Sequence, residues 1–380
     1  MSARFRAEHV GSLLRPPEVL EAHAAHAQGR LPLDELRAIE DQAILKALEL
    51  QREAGIEVLS DGEYRRSSWA APFSDAVSGY VNGPPPIPFE WRMPDGTERA
   101  SAVIMQDIVP IPGQGNVVVG ERLQQQRRLT AHEADFLSQH AAGPYKVTMP
   151  GASYVAARGF KPGITDQIYP TRGDLLKDIV AIMQQEVQVL TASGATYIQL
   201  DNPHYPDYIP DSRREQWRAI GIDPDKALEE DISADSAVFA GVDRTRVTRA
   251  MHICRGNGRS AWHTQGGYEP IAEQVFGSLG VDVFLLEYDS ERAGGFEPLR
   301  FIPKGKTVVL GLVTTKLGQL ETQDVLLQRI DEAAKYVAVE DLALSPQCGF
   351  ASIAAGNLVS RDEQRRKLEL VGETARKVWG

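Results

Sequence analysis

A chain of 380 residues with 42% hydrophobic residues and a formal net charge of -11 has the make-up of a soluble globular protein with ample length for a large core. The acid excess argues against nucleic-acid and anionic-membrane partners, which need clustered Lys and Arg. The longest strongly apolar run, "VDVFLLEY", falls far short of the ~20 residues a membrane helix requires.

The two cysteines make at most one disulfide, so a reducing cytoplasm is the expected compartment. The opening stretch "MSARFRAEHVGSLLRPP" has no apolar run of the signal-peptide kind, and none is expected. In chain order, short apolar, β-branched runs predict strands over 9–14 ("HVGSLL") and 56–62 ("IEVLSDG"). Residues 81–120 then break the pattern. "VNGPPPIPFEWRMPDGTE" is too rich in proline for a helix and holds the turn "PDGT", which predicts an inserted extended arm and hairpin that serves as a lid or dimer contact. Further strands are predicted over 145–151, 195–201, 247–254, 281–289, 307–315 and 341–349.

Amphipathic helices fill the gaps. "DLLKDIVAIMQQEVQVLTASG" ends on Gly194, a natural C-cap. "DVLLQRIDEAAKYV" lines up Val325, Leu326, Ile330, Ala333, Ala334 and Val337 as one stripe to cover a sheet. Eight strands alternating with helices predict an α/β fold, a (β/α)8 TIM barrel over 1–380 as a single domain. An open doubly wound sheet is the alternative, but no G-x-G-x-x-G follows the first strand.

In such barrels the chemistry sits at the C-terminal strand ends. The predicted ends carry Ser12, then Asp61-Gly62-Glu63, Asp201, His252-x-Cys254, Glu287 and Cys348. A lone buried Cys is ordinarily an inert small hydrophobe, and a lone strand His a satisfied core residue. As a set they read differently. Positions i and i+2 of a strand face one way, so His252 and Cys254 can share the barrel mouth. Imidazole with two thiolates favours zinc over magnesium or calcium, and a swinging Glu287 suits a catalytic site with an open position.

At these residues the sequence resembles the cobalamin-independent methionine synthase family, specifically its C-terminal catalytic barrel. The resemblance runs from "HVGSLLRP" through "SDGEYRR", "YIQLDNP", "MHIC" and "LEYD" to "SPQCGF". It implies a short, single-barrel form without the family's duplicated N-terminal barrel. It implies zinc held by His252, Cys254, Glu287 and Cys348, which binds the sulfur of homocysteine for methylation to methionine. It also implies homocysteine contacts at Gly11, Ser12, Glu63 and Asp201. Apart from the resemblance, Arg65 and Arg66 either neutralise these acids, hold a carboxylate or lie solvated on the surface.

Independently of the family, two thiolate ligands keep a bound sulfur nucleophilic, which suits alkyl transfer better than water activation.

The folate half departs from the family pattern. The family's proton-donor His after the seventh strand is replaced in "GLVTTKLGQ" by Lys316, and its pterin-stacking Trp has only Tyr154 as counterpart. Asp207 falls where the family has an acidic folate contact. Lysine near pKa 10.4 holds its proton too tightly for the role unless its surroundings depress it, so the expectation leans to a donor with a better leaving group, such as a methyl-corrinoid.

Methyl-folate and a corrinoid protein therefore both stay open as donor and partner, as does a homodimer. Two rival readings also stand. One is an epoxyalkane:coenzyme M transferase, whose thiol lacks the amine that Glu63 and Asp201 would bind. The other is a non-catalytic zinc-binding barrel, whose metal site should be closed.

Overall fold

The computed structural model describes residues 5–100 and 117–380. Four strands belong to two antiparallel pairs: β1 (Val77–Asn82) with β4 (Val117–Gln125), and β2 (Glu90–Arg92) with β3 (Glu98–Ala100). The β2–β3 hairpin turns at the predicted "PDGT", where Gly96 adopts φ 81. Of the stretch expected to form an arm, residues 101–116 lie outside the described residues.

The central sheet has six parallel strands in the order β10-β9-β8-β7-β6-β5. They are β5 (Val147–Pro150), β6 (Tyr197–Asp201), β7 (Thr248–Ile253), β8 (Val283–Glu287), β9 (Thr307–Val313) and β10 (Leu342–Pro346). Each lies within its predicted run.

Period-two alternation divides β6 to β10 between two cores. Tyr197, Ala250, Val283, Leu285, Val309 and Ala343 form an inner cluster with Val10 and Val58. Ile198, Leu200, Met251, Ile253, Phe284 and Leu286 belong to the larger cluster shared with the helices. Asp201, His252 and Glu287 each lie two or four residues beyond an inner-cluster residue of their own strand, so they extend the inner face to its C-terminal rim. The inner face also buries polar groups that satisfy one another. The Lys146 ammonium donates to Glu8 at 3.0 Å and to Gln199 at 3.0 Å, and Gln199 in turn donates to Asp201 at 2.7 Å.

The runs predicted as strands at 9–14 and 56–62 are not regular strands. The second run contributes one parallel bridge, Leu59 with Tyr145, while ahead of the first run Ala7 bridges Leu344 and accepts from the Glu57 amide at 2.9 Å. The reason is where their backbone bonds go. Gln51 accepts from the Ser60 amide at 2.8 Å and donates to Ser60 O at 2.9 Å, while the Leu13 amide bonds Gly62 O at 3.0 Å. A side chain and a neighbouring loop take up what a ladder would use.

The helices follow their patterns. Arg172–Ala192 starts at Thr171, whose hydroxyl accepts from the Asp174 amide, and Gly194 follows its end at φ 91. Gln323–Ala333 buries Leu326, Ile330 and Ala333, but Val325, expected on that stripe, is 51% exposed. As residue N3 of a helix whose buried face is set by Leu326 and Ile330, it points to solvent. Among the described residues no helix is long and apolar enough to cross a membrane.

Candidate metal centre and active site

His252 ends the inner face of β7, Cys254 lies just past that strand, and Cys348 follows β10 by two residues. One ligand atom from each lies within 4.8 Å of the others, and all three side chains are buried. Neither ring nitrogen of His252 makes a hydrogen bond of standard geometry, although both are buried. A buried polar group without a partner costs about 1–3 kcal/mol, so the ring is built for something more than packing.

The hydrogen bond between the thiols pushes Cys254 well above the ordinary thiol range and Cys348 well below it, with the His252 ring also favouring the Cys348 thiolate. Imidazole and two sulfurs fit zinc by donor softness.

Glu287 stands outside that group. Its carboxylate accepts from Arg292 Nη2 at 2.7 Å and from the Arg255 amide at 3.0 Å. Burial opposes its ionisation, yet the charges of Arg292, Arg255 and Lys316 hold its carboxyl down to about 2.

Across the mouth lie the two carboxylates read as an amine site. Glu63 sits at φ 58 after Gly62 at φ 69, a left-handed pair that ordinary side chains avoid and that Asp61 steadies by accepting the Glu63 amide at 2.9 Å. A Cβ on Gly11 would lie 2.7 Å from Glu63 Oε1, so the missing side chain there makes room for the carboxylate. Thr148 donates to Glu63 at 3.1 Å and Arg66 stands 3.6 Å away, while Glu63 Oε2 is buried without a partner. Burial raises the Glu63 carboxyl against the pull of Arg66. Burial likewise pushes Asp201 up to about 7, with His252 opposing and Glu63 adding to the rise.

The Ser12 hydroxyl accepts from the Ala351 amide at 3.2 Å, tying this wall to the Cys348 loop. Neither Arg65 nor Arg66 is solvated. Arg66 forks onto Glu133 at 2.5 and 2.7 Å, and Arg65 pairs with Glu40 and Asp41.

His252, Cys254, Cys348, Ser12, Glu63 and Asp201 line one cavity of about 360 Å³, while Gly11 and Glu287 stand outside its lining. Its far wall is aromatic. Trp69 packs on Tyr154 with ring centroids 4.5 Å apart, and Phe89 and Trp91 come from the stretch around β2. That stretch is fastened in place: Arg92 and Trp262 exchange backbone hydrogen bonds of 2.7 and 2.9 Å, and Arg158 lies over the Phe89 ring at 4.4 Å.

Sequence reasoning passed over Trp69, Phe89, Trp91 and His263, which carry no motif. The only signal was an aromatic density around 69–91. Asp207 does not line the cavity. It is buried behind it, accepting from Thr264 at 2.8 Å and lying 3.2 Å from His204, 3.4 Å from Arg213 and 3.4 Å from His263. Burial opposes its charge, but Arg213 and His263 hold its carboxyl well below the usual range.

Lys316 is likewise not among the lining residues. Its ammonium donates to Asn257 Oδ1 at 3.0 Å, Gly256 O at 3.2 Å and Ala261 O at 3.3 Å, clamping the loop that follows Cys254. Burial lowers its pKa while Glu287 opposes the fall.

Lys316→Met is therefore expected to cost stability, about 3 kcal/mol, because it leaves three acceptors and the Glu287 charge without their cation. Denaturant unfolding of the variant checks this. An unchanged midpoint together with lost turnover would instead make Lys316 a proton donor.

The family described as cobalamin-independent synthase, catalytic domain, matches residues 5–361. A Bacillus subtilis protein, the uncharacterized YxjH, is 35% identical over 99% of this chain and 95% of its own length. A methionine synthase of Pyrococcus abyssi is 23% identical over 90% of this chain and 85% of its own. Among solved structures, a structural-genomics target from Listeria monocytogenes is 27% identical with a TM-score of 0.75, covering 100% of this chain and 99% of that one.

Proposed function

The chain belongs to the cobalamin-independent methionine synthase family through its catalytic domain, and from that premise we propose that it transfers a methyl group to the thiol of homocysteine, giving methionine. One observation carries the reading. Three soft ligand atoms within 4.8 Å of one another open onto a cavity that also presents two buried carboxylates, Glu63 and Asp201.

His252, Cys254 and Cys348 would hold zinc, with Glu287 as fourth or exchangeable ligand released from Arg292. When bound there, zinc supplies the positive charge that keeps a substrate thiol deprotonated at neutral pH. Glu63 and Asp201 hold the ammonium of the amino acid, and their neighbour Ser12 orients it. Two buried acids facing one space are costly without a cation between them, and an ammonium answers that cost. The aromatic wall of Trp69, Tyr154 and Trp91 excludes water and receives the methyl donor, either a methyl-folate or a methyl-corrinoid.

We read the framework as a closed (β/α)8 barrel in a single domain, with the β1–β4 region as its insertion. The bridges at Ala7 and Leu59 and the Glu57–Ala7 hydrogen bond support that reading, since they join β10 to β5 around the far side.

The test is a comparison of acceptors on the zinc-loaded protein. Homocysteine should serve as methyl acceptor and coenzyme M, which has no amine, should not. Equal use of both would defeat the assignment and favour a coenzyme M transferase.

A pH dependence follows. Asp201 must be ionised to hold the ammonium, and burial raises its carboxyl to about 7. The homocysteine requirement should thus climb as the pH falls through and below that value. Asp201→Asn should weaken binding at neutral pH and remove the climb, as steady-state kinetics at several pH values would report.

A further inference from the structure

We propose that His263 is the acid–base group of this cavity, placed to protonate the nitrogen of an N-methyl tertiary-amine donor as the methyl group leaves. The proposal rests on the thiol-methylation reading above and commits it to a donor class.

His263 stands on the loop after β7, and its ring stacks on Phe89 at 4.2 Å with Trp91 edge-on at 5.3 Å. Its two nitrogens have different surroundings. Nδ1 is 2.9 Å from the Thr264 hydroxyl, and that hydroxyl donates its one proton to Asp207 at 2.8 Å. The hydroxyl can therefore only accept from the ring, which fixes the neutral form with its proton on Nδ1 and its lone pair on Nε2. A protonated ring becomes an Nε2 donor, with the buried Asp207 carboxylate 3.4 Å from Nδ1 to support the charge.

Nε2 lies over the loop that carries Cys254. A Cβ on Gly256 would come within 2.6 Å of it, and Gly256 itself adopts φ 86, so that backbone leaves the ring its place. Gly256 and His263 line the same cavity as His252, Cys254 and Cys348. Among the described lining residues the imidazoles are His252 and His263, and His252 belongs to the metal group. Lys316, the other candidate acid, is held by three acceptors.

The chemistry balances with this one acid. The sulfur–carbon bond forms as the carbon–nitrogen bond breaks, and that bond's electron pair stays on the donor nitrogen. The proton on Nε2 passes to the nitrogen, so the leaving group departs as a neutral secondary amine. The ring then recovers a proton from solvent, to which the thiol had released its own. Thr264 and Asp207 are positioning residues, since they act through the ring.

The experiment uses the zinc-loaded protein with homocysteine and two probes: 5-methyltetrahydrofolate, whose nitrogen needs a proton to leave, and methylcobalamin, whose corrinoid does not. His263→Gln should lower the folate-dependent rate at least about a hundredfold and leave the methylcobalamin rate within about threefold, with zinc content unchanged. Equal losses with both donors, or no loss with folate, overturn the proposal.

If the wild type turns over with neither probe, the thiol-methylation reading fails. The proposal then falls with it, whereas nitrogen-15 NMR of the ring tests the placement of His263 separately from turnover. A neutral His263 protonated on Nδ1, released from that tautomer in Thr264→Val, supports it, and a neutral ring protonated on Nε2 overturns it.

Discussion

Replacing Cys254 or Cys348 by serine is expected to strip the metal from the protein and abolish methyl transfer. Each substitution keeps the size of a buried side chain and exchanges a soft, ionisable sulfur for a hard hydroxyl that stays protonated near neutrality. Even outer-shell partners of a metal site are worth about 10–100-fold in affinity or activity, and a direct ligand should be worth more. Each thiol shifts the other's ionisation, so removing either sulfur also alters the charge its neighbour carries. Metal analysis of both purified variants checks the expectation, and unchanged zinc in both would remove this centre from the account.

The second large effect is expected at Glu63. Glu63→Gln keeps the shape of a side chain whose backbone is held at φ 58 and whose carboxylate fills the space left by Gly11. It removes only the charge. Losing one partner of a buried, hydrogen-bonded charge pair costs about 2–5 kcal/mol of binding, or roughly 30-fold and upward in the homocysteine concentration required. Arg66 retains its fork onto Glu133, so the fold should persist, and zinc content should not change. A homocysteine requirement equal to that of the wild type would make Glu63 a structural residue.

Much of this arrangement can be read from sequence because strand chemistry is local. The i, i+2 spacing puts His252 and Cys254 on the inner side of β7 along with Ala250, and the same alternation carries Asp201 and Glu287 inward on β6 and β8. The runs at 9–14 and 56–62 look like strands by composition, yet their hydrogen bonds go to Gln51 and to the Gly62 loop, partners that no local pattern reveals.

The aromatic wall was hidden for a related reason. Trp69, Phe89, Trp91 and His263 come from three separate stretches of chain, and only folding brings them together. Lys316 and Asp207 are a different case. Their spacing placed them correctly near the strand ends, but a side chain at a strand end can face the loops behind the mouth as readily as the cavity. Lys316 clamps residues 256–261, and Asp207 anchors Thr264 and His263.

The most direct measurement is transfer of a carbon-13 methyl group. The zinc-loaded protein, given homocysteine and a donor labelled on its methyl carbon, either 5-methyltetrahydrofolate or methylcobalamin, is predicted to yield methionine carrying the label on its S-methyl group. The Cys348→Ser variant is predicted to yield none. Fully metallated wild-type protein that forms no labelled methionine from either donor would contradict the assignment of this cavity to thiol methylation.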